Sequence, residues 1–289
     1  MPLDYPAILS LREEGYRTQY GDRDTMLYAL GIGMGADPLN AAELPFVYEK
    51  DLRAVPSLAT VISWGAGIST DKLGLDHHLV LHGEEEIIFH RPLPPAAAII
   101  ADWAVSRVYD KGRDKGALVV LQTVIRSAAD REPLCTINRT LFARGDGGCG
   151  GSTEPPPMPH AVPTRAADFS VDIATRPDQG ALYRLCGDRN PLHIDPEAAK
   201  LAGFDGPILH GLCTYGLSCR AVLQTICEYD PSRIIHHSAR FSAPVYPGDT
   251  VRIDIWKDGD AASFEASVPS RGVTVIRNGR TLLRPDADG

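Results

Sequence analysis

Asp188, Asn190 and His193 place a carboxylate, a carboxamide and an imidazole inside one six-residue window, Asp-Arg-Asn-Pro-Leu-His. If the chain curls there, Asp188 and His193 can hold one water between them while Asn190 fixes its orientation, as general acid–base chemistry requires. Spacing across a proline guarantees neither helical nor strand convergence. It equally allows plain capping, with Asp188 and Asn190 closing turns and His193 a satisfied histidine. Close behind, Pro207-Ile-Leu-His-Gly-Leu-Cys-Thr-Tyr-Gly216 sets Gly211 at the start of an apolar helix. Its amide there can donate to a developing oxyanion, or the glycine can simply make a tight turn. Taken together, the two segments point to acid–base chemistry on an activated carbonyl compound.

The elements that must position these residues are legible in outline. Asn190 before Pro191 and Asp195 before Pro196 are N-caps followed by permitted first-turn prolines, and Gly203 can stop the short helix between. Leu212–Tyr229 has a long apolar helical pattern, and Thr25–Ile32 reads as a helix of the first half. Ile99–Val108, Ala117–Ile125, Thr250–Trp256 and Ser263–Val268 read as strands. The result is a helix packed on an antiparallel sheet, twice over. A weak repeat supports duplication: Phe89-His-Arg-Pro92 resembles Phe241-Ser-Ala-Pro244, each followed by sheet-forming sequence. Residues 145–163, rich in Gly and Pro, support neither periodic structure and read as a linker between halves near 1–144 and 164–289.

Bulk properties narrow the partners. A chain of 289 residues with 44% hydrophobic content suits a soluble globular protein with one large core or two ordinary ones. A formal charge of -8 and the absence of a basic run disfavour nucleic acid and anionic membrane as partners. No apolar run approaches a membrane span, and Met1-Pro-Leu-Asp-Tyr-Pro6 lacks the form of a signal peptide. The ending Asp286-Ala-Asp-Gly289 carries no Ser-Lys-Leu-like address, so the expected location is cytoplasmic. The six cysteines show no metal-ligand spacing and read as reduced thiols. His77-His78 and His236-His237 are adjacent pairs whose side chains point to opposite faces of a strand, so no metal site is expected. Gly31-Ile-Gly-Met-Gly35 lacks the spacing and βαβ context of a dinucleotide loop.

The segment Tyr183-Arg-Leu-Cys-Gly-Asp-Arg-Asn-Pro-Leu-His-Ile-Asp-Pro-Glu-Ala-Ala-Lys200 resembles the signature of hydratase 2, the MaoC-like (R)-specific enoyl-CoA hydratases. The likeness continues through Ala202–Gly216 and Arg240–Gly248, in the order found in the hydratase domain of peroxisomal multifunctional enzymes. In the first half it is carried by Tyr28-Ala-Leu-Gly-Ile-Gly33, Phe46-Val-Tyr-Glu-Lys-Asp-Leu52, Leu81-His-Gly-Glu84 and Tyr109-Asp-Lys-Gly112.

The resemblance implies an α+β double hotdog, in which each half wraps an antiparallel sheet around a central helix. It implies reversible hydration of (2E)-enoyl-CoA to (3R)-3-hydroxyacyl-CoA, with no cofactor. Asp188 and His193 would bind water and transfer protons, Asn190 would position, and Gly211 would donate to the thioester oxygen; which of the pair is base and which acid stays open. His82, Gly83, Lys111 and Phe241 match positions that contact the CoA thioester, Lys111 suited to a phosphate and Phe241 to an apolar or adenine surface. The first half has no Asp-x-Asn-Pro-x-His, so one site per chain is implied, the first half shaping a substrate tunnel. The segment Gly33–Leu44 would interrupt the first half's central helix and make room for a longer acyl chain. Self-association to a homodimer is expected of such a fold. The alternatives are dehydration of a specialised branched hydroxyacyl thioester and a non-catalytic acyl-CoA-binding protein.

Overall fold

In the computed structural model, residues 3–67, 73–75, 79–152 and 154–285 are described. His77-His78 and the C-terminal Asp286–Gly289 lie outside them. Ten strands form one antiparallel sheet: β1 (Arg12–Tyr20), β2 (Val80–Phe89), β3 (Ala97–Asp110), β4 (Ala117–Ser127), β5 (Pro133–Ala143), β6 (Phe169–Ala174), β7 (Ile234–Phe241), β8 (Thr250–Asp258), β9 (Ala261–Val268) and β10 (Val273–Leu283). The order across it is β1-β3-β4-β5-β2-β7-β10-β9-β8-β6. Read outward from the middle, both halves run through the same sequence of strands. They join at β2 and β7, where Glu85 faces Ala239, Glu86 faces Ser238 and Ile87 faces His237.

The helices are α1 (Tyr5–Leu9), α2 (Asp22–Gly31), α3 (Leu44–Val47), α4 (Ala59–Ile62), α5 (Gln179–Tyr183), α6 (Pro196–Leu201) and α7 (Gly211–Thr225). α7 is buried from Leu212 to Cys219 and again over Ala221–Leu223, the mark of a helix enclosed in a core rather than laid on a surface. Its apolar pattern predicted a helix to Tyr229. The chain instead leaves the helix after Thr225 and turns left-handed at Glu228 and Tyr229 (φ 50° and 59°), which lays the Tyr229 ring 6.4 Å from Phe46.

A second difference concerns the first half. The helix expected at Thr25–Ile32 is present as α2, but it is the counterpart of α5, and the central place belongs to a 3-10 turn at Pro56–Leu58 continuing into α4. Every residue from Pro56 to Ile62 is buried. α2 packs so closely on α7 that a Cβ at Gly216 would lie 2.5 Å from Ile32 Cγ2, so only glycine fits there. One hydrophobic core runs through both halves, from Tyr28, Phe46, Leu58 and Ile87 to Leu212, Tyr215, Ile253 and Phe264. Two strand sets of identical order, each wrapped around a central helical segment, make the double hotdog that the resemblance implied. Among the described residues, no helix is long and apolar enough to cross a membrane.

Candidate active site

After α5 the chain passes through a 3-10 turn at Arg184–Cys186 and reverses at Gly187, whose φ of 146° is a conformation open to glycine and strained for other residues. A Cβ at Gly187 would also sit 3.1 Å from Trp64 of the first half. Asp188 follows, and its Oδ1 accepts the Asn190 N–H at 3.0 Å. Asn190 in turn accepts the Leu192 N–H at 3.0 Å through its side-chain oxygen, capping a 3-10 turn over Pro191–His193. The capping reading of Asp188 and Asn190 therefore holds, and it leaves Asp188 Oδ2 free of those turns. That oxygen lies 3.9 Å from His193 Nε2.

His193 is buried and its tautomer is fixed by its neighbour. Nδ1 lies 2.8 Å from the carbonyl oxygen of Ile208, an acceptor only, so Nδ1 carries the proton and Nε2 presents its lone pair toward Asp188. Burial pushes the imidazole below its ordinary pKa, against the Ile208 carbonyl and Asp188, which favour the protonated form. The separation of 3.9 Å is too long for a direct hydrogen bond. A water about 2.8 Å from each atom would meet both at roughly 90°, an angle a water can serve.

Gly211 is the first residue of α7, so its N–H has no acceptor within the helix and the positive end of the helix dipole lies there. The ring of Phe241 covers it, 3.5 Å from where a Cβ would stand. Phe241 meets His82 edge-on at 4.8 Å. Gly83 sits where the β2–β5 register shifts between His82 and Glu84. Lys111 stands apart from this group, with its ammonium 4.9 Å from the centre of the Phe142 ring. Phe142 pairs with Leu81, the neighbour of His82.

Four further residues belong to the site that spacing did not reveal. His210 stacks on His193 with ring centres 3.8 Å apart, and its Nε2 lies 3.1 Å from the Asp188 carbonyl oxygen. Burial, and then His193, push its pKa down to about 4. From the first half, Arg139 binds the fully buried Glu85 through Nε and Nη2 at 3.0 and 3.1 Å. Its guanidinium lies 5.4 Å over the Trp64 ring, the residue that abuts Gly187. His82 reaches the same Glu85 carboxylate at 2.8 Å. Burial pushes Glu85 up, but Arg139 and His82 outweigh it and hold the carboxyl below its usual range. The signal for His210 was its place directly before Gly211; nothing in spacing could bring Trp64, Glu85 and Arg139 to Asp188 from the other half.

Ligand atoms of Asp188, His193 and His210 lie within 4.8 Å of one another. The two rings are inclined by only 29°, so their in-plane lone pairs do not converge on one point, and His193 Nδ1 and His210 Nε2 are engaged with carbonyls. The trio suits proton chemistry better than chelation. His236 and His237 diverge as strand alternation requires, His236 to Glu86 on one face and His237 to Thr281 and Ser218 on the other.

The double hotdog, with the Asp188–His193 loop and the start of α7 brought together in its second half, agrees with what comparison with known proteins finds: the chain belongs to the MaoC-like proteins, in their hydratase 2 branch. Residues 160–278 match the MaoC like domain and residues 18–145 the MFE-2 hydratase 2 N-terminal domain. Among its relatives is enoyl-CoA hydratase ChsH3 of Mycobacterium tuberculosis, 35% identical over 98% of this chain and 99% of its own length. The peroxisomal enoyl-CoA hydratase 2 of Arabidopsis thaliana is 36% identical over 90% of this chain and 89% of its own. The crystal structure of a MaoC-like dehydratase from Phytophthora capsici superposes with a TM-score of 0.86 at 33% identity, covering 97% of this chain and 98% of that one.

Proposed function

We propose that this chain reversibly hydrates (2E)-enoyl-CoA to (3R)-3-hydroxyacyl-CoA. The observation that carries the reading is the pairing of Asp188 Oδ2 with the bare Nε2 of His193, 3.9 Å apart, beside an uncapped helix start at Gly211. Water held between the two attacks C3 as a proton leaves it, and a proton is delivered to C2. The pair ends the cycle in the protonation state in which it began. Gly211 donates its amide to the thioester oxygen as enolate character grows, an interaction whose loss typically costs roughly 10²–10³ in rate. Asn190 holds the loop in register. Addition of water moves no electrons between molecules, so no cofactor enters; dehydration uses the same groups in reverse.

In this reading the first half, near 1–144, carries no acid–base loop and forms the wall of the acyl tunnel, joined by the linker 145–163 to the catalytic half, 164–289. His82, Gly83 and Phe241 line the thioester passage, and Lys111 at the rim meets a phosphate of CoA. The protein works as a homodimer in the cytoplasm. A single 31.2 kDa species in light scattering over a wide concentration range would contradict the dimer.

The test is the loss of enoyl-thioester absorbance with crotonyl-CoA and trans-2-decenoyl-CoA, followed by chiral analysis of the product. A (3R) product is expected, and Asp188→Asn should lower turnover about 10²–10⁴-fold, the span of general acid–base catalysis. An Asp188→Asn protein with full activity would overturn the assignment. Tight binding of both thioesters without turnover would mark an acyl-CoA-binding protein instead.

A further inference from the structure

His210 occupies the N-cap position of α7, where a Ser, Thr, Asp or Asn would accept a hydrogen bond from the first turn. It makes no such cap. The ring turns away instead, to donate through Nε2 to the Asp188 carbonyl at 3.1 Å and to lie flat on His193 at 3.8 Å. The carbonyl is only an acceptor, so Nε2 carries the proton and Nδ1 is left as a bare acceptor. That Nδ1 is buried with no partner among the described residues. A buried, unpaired acceptor is a cost that an apolar residue filling the same space would not carry. The histidine is therefore badly chosen for packing or for capping, and well chosen for reaching Asp188.

The three groups of the proposed chemistry come from two separate stretches of chain: Asp188 and His193 from the loop, Gly211 from the start of α7. His210 is the side chain that touches both partners of the loop while being covalently joined to Gly211. We infer that His210 is a positioning residue, which fixes the Asp188 loop relative to the oxyanion donor so that proton transfer and enolate stabilisation act on one substrate pose. This inference rests on the hydratase reading. A misplacement of about 1 Å between reacting groups can cost on the order of 10² in rate.

Two variants and one measurement on the unaltered protein test it. His210→Phe keeps a ring against His193 but has no donor; His210→Gln loses the ring but keeps an N–H that can reach the Asp188 carbonyl. With crotonyl-CoA, His210→Phe should lower kcat about 10–100-fold with KM within about threefold, and His210→Gln should recover at least about tenfold of that loss. Equal losses in the two variants, or a wild-type kcat in His210→Phe, would overturn the proposal. Circular dichroism confirms that each variant is folded. In the unaltered protein, nitrogen-15 imidazole NMR should find His210 neutral and protonated on Nε2 from pH 8 down to about 5. The Nδ1–H tautomer would overturn the hydrogen bond whatever becomes of the variants. A wild-type protein inert toward every enoyl-CoA would sink the hydratase reading, and the positioning role with it, whereas the Nδ1–H tautomer in an active enzyme would sink the positioning role alone.

Discussion

At Gly187 two constraints meet: a backbone φ of 146° and a Trp64 side chain 3.1 Å from where a Cβ would stand. Gly187→Ala must relieve both by moving the Asp188 carbonyl, the acceptor of His210. The strain is of order 1–3 kcal/mol, and turnover should fall at least about tenfold while the melting temperature drops only modestly. An alanine variant with unchanged kcat would show that the loop tolerates the shift. The motif residues themselves were legible in the sequence because they are local: Asp188, Asn190 and His193 share one loop, and the caps at Asn190 and Asp195 formed as their types require. Spacing could not say that His193 would spend its Nδ1 proton on Ile208, fifteen residues on, and so present Nε2. Nor could it show that Trp64, with Arg139 over its ring, would abut the loop at Gly187 from the other half. Those contacts depend on strand register, which no short window records.

Among the elements, α2 and α7 were readable from their apolar periods, and β3, β4, β8 and β9 from their β-branched runs; the other six strands of the sheet were not read from the sequence. Which helix would be central was not readable either, because centrality is decided by what packs around an element. The short segment Pro56–Ile62 won that place in the first half: it is entirely buried, and of its two polar side chains Thr60 is satisfied locally by the Ser57 carbonyl. A buried carboxylate ties the chain between α2 and α3 to α7. Glu43, 1% accessible, accepts the Gly35 N–H at 2.8 Å and pairs with Arg220 of α7 at 2.7 Å. Breaking a buried pair by removing one partner leaves the other charge uncompensated, at a cost of about 3–5 kcal/mol. Glu43→Ala should show this in urea unfolding, and a shift in preferred acyl length would accompany it if this loop borders the tunnel. A loss below about 1 kcal/mol would mean that Arg220 finds another partner.

For the whole molecule, the seam between β2 and β7 relates the halves, and it sets unlike chemistry at like positions. Arg139 faces Glu85 in the first half as Thr281 faces His237 in the second. The second pair is neutral and sealed beneath α7: burial, with help from the neighbouring His236, holds His237 down at about 3. His210 lies at about 4. Both start from an ordinary value of 6.5 in the unfolded chain, so the folded state binds fewer protons than the unfolded one once the pH drops below that value. Stability should be full above about pH 6.5 and decline as pH falls through the window toward 4, each histidine adding about 1.4 kcal/mol per pH unit. Urea midpoints at pH 6.5 and 4.5 should diverge less in His237→Gln than in the parent; equal divergence would place the acid sensitivity elsewhere. The linker is pinned on both flanks, by Asp110 accepting the N–H groups of Gly148 and Gly150, and by His160 bonding Ser263 and accepting from Asn278. Between those anchors Met158 is 93% exposed. A protease site engineered beside it should thus be cut without the pieces parting, because strand pairing and a shared core hold what the peptide bond no longer does. Such a result would assign the connection to assembly, where it keeps two partners at high effective concentration until they zip together, and leave the finished protein no further need of it.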